Sequence, residues 1–213
     1  MVDIPPLTIL EEFVLLALDE ATGAFHIVPR SRLDLATAGA VLMDLMRWRR
    51  LDYDLRNIYV TDVLPIGDDI LDPILQMLAI APQLTQHPIA EWIDLLTPEA
   101  MTLRVRALRR LDQRGIIHRE NDKILWTYGE RRYPVLADRE VREVKARLLA
   151  LCVDGALPLP ADAALMALAD SVGLMRLFMG DAVYEKARAR IREVAKTDLI
   201  GQALAGLAAA RAY

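Results

Sequence analysis

Arginine is the residue type through which this chain could do chemistry. Between Met101 and Leu111 no acidic residue occurs, while Arg104, Arg106, Arg109 and Arg110 do, with Arg114 just beyond. Pro98 suits a first helical position and Gly115 the residue past a last one, so a helix is predicted from about Pro98 to Arg114. At about 100° per residue, Met101, Leu103, Ala107, Leu108 and Leu111 share an apolar face. Arg106, Arg109, Arg110 and Arg114 fall on the opposite, solvated face. Arg104 projects into the middle of the apolar arc, where an unpaired charge is costly. It requires either an acidic partner, such as Asp34 or Glu12, or an anionic ligand. Its planar fork can hold a phosphate bidentately without losing charge. The expectation is an anion-accepting pocket rather than a closed internal pair.

After the helix, about Ile124 to Val135 reads as a β-hairpin carrying Trp126, Tyr128 and Tyr133, with Arg131 and Arg132 beside them. These aromatics are either ordinary strand residues or an interfacial set. In the second case the rings sit at a water–lipid boundary and the arginines face anionic headgroups. There is little from which to build an enzyme. His26, His87 and His118 are scattered, and no metal-ligand spacing, nucleophile elbow, phosphate loop or dinucleotide fingerprint occurs. Asp68, Asp69 and Asp72 suit a helix N-terminus better than a cation site. No enzymatic activity, metal or cofactor is expected.

Composition narrows the class. The chain has 213 residues, enough to bury roughly 70% of its unfolded surface without disulfides. Its net charge of −4 argues against a dedicated nucleic-acid binder. The one cysteine, Cys152, lies in an apolar run and points to a reducing compartment. The start of the chain lacks a positive charge before its apolar run and reaches Glu11 and Glu12 early, so no signal peptide is expected. No stretch reads as a spanning helix. A cytoplasmic protein is expected, and Ala, Leu and Arg outweighing Lys points to a GC-rich bacterial genome.

The elements that must position these residues are mostly helices. Thr8 is a predicted cap with Glu11 at the capping-box position, and the helix it opens is apolar on nearly every side, ending at Thr22-Gly23. A loop with His26, Pro29, Arg30 and Arg32 leads to a second helix from about Leu35 to Arg50. LDYDLRNIYVTDV reads as a short hairpin. Further helices are predicted from Asp68 or Asp69, around Trp92, over Arg139 to Cys152, over Ala161 to Met179 and over Val183 to Ala212. The fold class is mainly α: a single compact multi-helix domain over residues 1–213 with small β-hairpins.

Several segments, in order, resemble the Golgi phosphoprotein 3 family: LTILEEFVLLALDEATGAF, AGAVLMDLMRWRRL, PIGDDILD, EWIDLL, LRRLDQRGII, RRYPV and ADAALMALADSVGLM. The resemblance implies a mainly helical, peripheral membrane protein. Eukaryotic members recognise phosphatidylinositol 4-phosphate, project a hairpin that inserts into membranes or mediates oligomerisation, and act as adaptors for Golgi glycosyltransferases. The family's headgroup site uses two arginines one turn apart on the basic helix. The second falls on Arg104 and the first on Met101. The family's arginine near the start of the second helix falls on Ala38, and its tryptophan on His26, behind Phe25. Arg30 and Arg32, in a longer loop, are placed to reach the site instead.

The functional expectation is a peripheral protein or adaptor that binds anionic phospholipid headgroups. Arg104, Arg106, His26, Arg30 and Arg32 would form the headgroup site, and Trp126, Tyr128, Arg131, Arg132 and Tyr133 the membrane or oligomer hairpin. A second copy of the chain and a protein client are further expected partners; nucleic acid is not. The alternative is a winged-helix regulator, since LRRLDQRGIIHRENDKILW has the order of a recognition helix followed by a wing.

Overall fold

A computed structural model describes residues 6–20, 22–54, 57–80, 87–118, 138–153, 155–197 and 199–210. The aromatic hairpin, with Trp126, Tyr128, Arg131, Arg132 and Tyr133, lies outside the described residues. Helix α1 (Ile9–Ala17) is buried along its whole length. Its start is closed by the predicted capping box: Glu11 N–H donates to Thr8 Oγ1 at 3.1 Å, and Thr8 N–H donates to Glu11 Oε2 at 2.8 Å. Two further amides at that end point into the protein. Ile9 and Leu10 N–H donate to the two carboxylate oxygens of Asp44 at 2.9 and 3.0 Å. Asp44 belongs to α2 (Arg30–Arg47), so a side chain of one helix caps the N-terminus of another.

α2 begins at Arg30, five residues before the expected Leu35, with Pro29 immediately preceding it. This corrects the placement of Arg30 and Arg32: they lie on the first turn of a helix, not in a loop. α2 stops at Arg47 rather than Arg50, because Arg49 adopts a left-handed conformation at φ +53° and Arg50 N–H closes onto the Leu45 carbonyl. The chain then forms the predicted hairpin. β1 (Leu51–Tyr53) pairs antiparallel with β2 (Asn57–Val60), Asp52 opposite Tyr59. The two residues of β3 (His87–Pro88) add a third strand beside β2.

The remaining helices are α3 (Leu71–Ile80), α4 (Ile89–Leu96), α5 (Ala100–Gln113), α6 (Asp138–Val153), α7 (Pro160–Ser171), α8 (Leu174–Met179), α9 (Asp181–Ala195) and α10 (Leu199–Ala210). A 3-10 turn, Thr97–Glu99, leads directly into α5, and Gly115 follows it at φ +68°. Two of the expected long helices are broken. Gly173, at φ +86°, separates α7 from α8, and a turn after Ala195 separates α9 from α10. Apolar periodicity runs through both breaks, which is why the sequence pattern alone merges them. α1 and α2 lie against each other and against α5 and α7, and one continuous cluster of buried apolar side chains extends from Ile9 to Ile200. Among the described residues no helix is long and apolar enough to cross a membrane.

Burial pushes the Asp44 carboxyl up to about 7, despite the amides of Leu10 and Ile9 and the Arg47 guanidinium 3.5 Å away. A carboxyl whose folded value exceeds its unfolded one contributes stability at low pH and loses it as pH rises through the folded value. Stability is therefore expected to rise as pH falls from 8 toward 5, and Asp44→Asn should flatten this part of the profile. Asp44→Ala removes the acceptor of two buried amides and should cost about 1–3 kcal/mol in denaturant unfolding.

Candidate functional site

α5 is amphipathic as expected, yet most of its arginines are engaged from within the protein. Arg110 binds Asp68 bidentately, Nη1 to Oδ2 at 3.0 Å and Nη2 to Oδ1 at 2.8 Å. It also reaches Asp69, and its Nε lies 3.9 Å from Glu11 Oε1. Arg114 Nη1 approaches Glu11 Oε2 at 3.3 Å. Arg106 Nη1 donates to the Asp69 carbonyl at 3.2 Å. The expected solvated face is thus corrected for Arg110 and Arg114: their carboxylate partners sit on the start of α1 and just before α3. Arg109 is exposed.

The same contacts settle the acidic trio. Asp68 accepts N–H bonds from Ile70 and Leu71 at 2.8 and 2.9 Å, and Asp72 accepts from Ile66 and Gly67 at 2.7 and 2.9 Å. Burial pushes the Asp68 carboxyl up, but the Arg110 bonds and these amides outweigh it and hold it below its ordinary range. The motif PIGDDILD is therefore a capping and ion-pair device that joins the start of α3 to α5.

A separate cluster forms where the N-terminal turns of α2 and α5 meet. Arg104 is 6% exposed. Its Nη2 donates to Asp34 Oδ1 at 2.6 Å and its Nη1 to Thr37 Oγ1 at 2.8 Å. Thr37 in turn donates to the Leu33 carbonyl at 2.7 Å. Arg30, one turn before Asp34, places its Nε 3.9 Å from Asp34 Oδ2 and its Nη2 3.3 Å from the Met101 sulfur. The Arg30 side chain remains 71% exposed. Of the two expectations for Arg104, the internal pair with Asp34 is the one the structure contains. The open pocket is corrected: a guanidinium on the apolar arc, with a carboxylate and a hydroxyl in reach across the helix interface, is closed off by them.

Not all the expected headgroup residues meet here. Arg30 does, at the face of Met101. Arg32 is exposed on the same first turn of α2. Arg106 does not, because two residues along a helix rotate it away toward Asp69. His26 is half-buried, its N–H donating to the Ala17 carbonyl at 2.8 Å. Burial lowers the imidazole's pKa, with Asp19, Lys145 and Glu20 as its charged neighbours. Sequence reasoning does not pick out Thr37. The signal is its spacing from Arg30 and Asp34, which puts the three on one helical face once α2 is begun at Arg30.

The arrangement is one buried cation fixed by a carboxylate and a hydroxyl, with an exposed cation loosely shared by that carboxylate. The two arginines should respond differently to truncation. Arg104→Ala removes the donor to Thr37 and leaves Asp34 only the more distant Arg30, and should lower stability by about 1–3 kcal/mol. Arg30→Ala should change it by no more than about 0.5 kcal/mol, since the exposed pair is screened by solvent. Thermal and denaturant unfolding of both variants check this.

No curated protein matches the chain. The model of one family, Golgi phosphoprotein 3 (GPP34), matches residues 9–210, nearly all of the sequence. The chain belongs to the Golgi phosphoprotein 3 family.

Proposed function

We propose that this protein is a non-enzymatic, peripheral membrane protein that recognises anionic phospholipid headgroups, phosphatidylinositol 4-phosphate among them, on a cytoplasmic membrane face. The observation that carries the reading is the contact between Arg30 and Met101. Met101 stands where the family resemblance places the first of two headgroup arginines. Arg30, reaching over from α2, brings a guanidinium to that place, beside Arg104. Arg30 and Arg104 share the single carboxylate of Asp34, so this cluster carries net positive charge on a chain of net charge −4. In this reading Arg104 holds Asp34 in place from within and Arg30 is the arm that meets the phosphate. Its hold on Asp34, at 3.9 Å, is weak enough to exchange for a phosphate oxygen. The hairpin aromatics Trp126, Tyr128 and Tyr133, with Arg131 and Arg132, would supply the insertion or self-association element.

The winged-helix alternative draws less support. A recognition helix needs its basic side chains turned outward to duplex phosphates, whereas Arg110 and Arg114 are held by Asp68, Asp69 and Glu11. Vesicle flotation tests the proposal. The protein should float with phosphatidylcholine vesicles containing phosphatidylglycerol or phosphatidylinositol 4-phosphate, and much less with phosphatidylcholine alone. Binding should weaken with salt, because exposed charges are screened over about 8 Å at physiological ionic strength. Replacing both Arg30 and Arg32 by Ala should reduce binding roughly thirtyfold, at about 1 kcal/mol per basic residue near an anionic surface. Equal binding to neutral and acidic vesicles contradicts the proposal.

A further inference from the structure

Ile27 presents its whole side chain to solvent. The stretch that carries it is held on both sides. Phe25 forms a β-bridge with Leu18, and His26 N–H is bonded to the Ala17 carbonyl at 2.8 Å. Phe25 and Val28 pack against the core, and Pro29 leads straight into α2. Between two inward-turned apolar neighbours, Ile27 alone points out. Single exposed apolar residues are ordinary, so exposure by itself decides nothing. The surroundings add the second observation. Three residues on, Arg30 reaches the exposed Met101, and Arg32 is exposed on the same turn. Ile27 and Met101 are thus both exposed, and Arg30, three residues after Ile27, is the guanidinium that reaches Met101, with Asp34 as the carboxylate between Arg30 and Arg104.

That combination selects the partner by charge complementarity. An apolar protein surface covering Ile27 would also have to desolvate Arg30, three residues along the chain. An anionic bilayer accepts both kinds of group at once, with guanidiniums at the phosphate level and a short aliphatic side chain just below it. We propose that Ile27 is a membrane-entering prong, positioned by the Leu18–Phe25 bridge and by Pro29, that works beside Arg30 on an anionic lipid surface. The inference rests on the anionic-membrane reading above and adds to it a second apolar contact, separate from the hairpin.

Because Ile27 touches little of the protein, it can be changed without disturbing the fold. Partition onto phosphatidylglycerol–phosphatidylcholine vesicles should fall about tenfold in Ile27→Gln, which removes apolar burial without adding a charge, and further in Ile27→Glu. Ile27→Trp should bind at least as well as the wild type. Its added fluorescence should be quenched by bromine-labelled acyl chains beyond the quenching seen in wild type. Leu157→Glu, at another exposed apolar side chain on the connection between α6 and α7, should leave binding unchanged. If Ile27→Glu binds acidic vesicles as the wild type does, the prong is wrong and the anionic-membrane reading stands. If Leu157→Glu weakens binding equally, adhesion is generally apolar and the prong is wrong. If the wild type itself does not bind acidic vesicles, both fall.

Discussion

Three carboxylates buried at one end of α1 dictate much of this architecture. Glu11 and Glu12 lie in its first turn, and Asp44 of α2 sits beneath its first amides. A buried carboxylate must be met by hydrogen bonds or a cation, or it will not remain charged. Asp44 takes the amides of Ile9 and Leu10. Glu11 takes Arg110 and Arg114, which brings in the C-terminal half of α5. Glu12 takes Arg147 of α6, which also reaches Asp162 of α7 at 3.0 Å. Burial still raises the Glu12 carboxyl above its ordinary range, Arg147 notwithstanding. Four helices are thus tied to the start of α1 by charge requirements as well as by apolar packing.

This constraint explains why a helix so rich in arginine is not a free basic surface. Its C-terminal half answers acids on α1 and before α3. Its N-terminal turns meet the beginning of α2, where Asp34 and Thr37 hold Arg104. The cations left accessible near that end, Arg30 and Arg32, come from α2. In the proposed reading the lipid-facing surface is displaced by one element from the one the sequence advertises, with Arg104 behind it.

The sequence made some of this legible for stated physical reasons. The capping box at Thr8 and Glu11, the Pro98 and Gly115 signals around α5 and the β-branched pattern of the first hairpin are local devices, and each is present. The start of α2 was less visible, because Pro29 gives no side-chain cap and Arg30 and Arg32 resemble loop residues. The Gly173 break hid inside continuing apolar periodicity. Ion pairs were the least legible. Arg104 stood out because its facing was wrong for solvent, and Asp34 was among its named partners. Arg110 and Arg114 faced the right way for solvent, and only the tertiary approach of α1 and of Asp68 reveals otherwise.

The central claim is a division of labour in which Arg104 is a structural cation and Arg30 the ligand-facing one. NMR resolving the individual guanidinium Nε–Hε groups, recorded while a soluble glycerophosphate headgroup is added, tests it directly. The account predicts saturable shifts at Arg30 and Arg32, with Arg104 keeping its Asp34-paired position throughout. Shifts centred on Arg104 with Arg30 unmoved, or confined to Arg109 and Arg106, would contradict it.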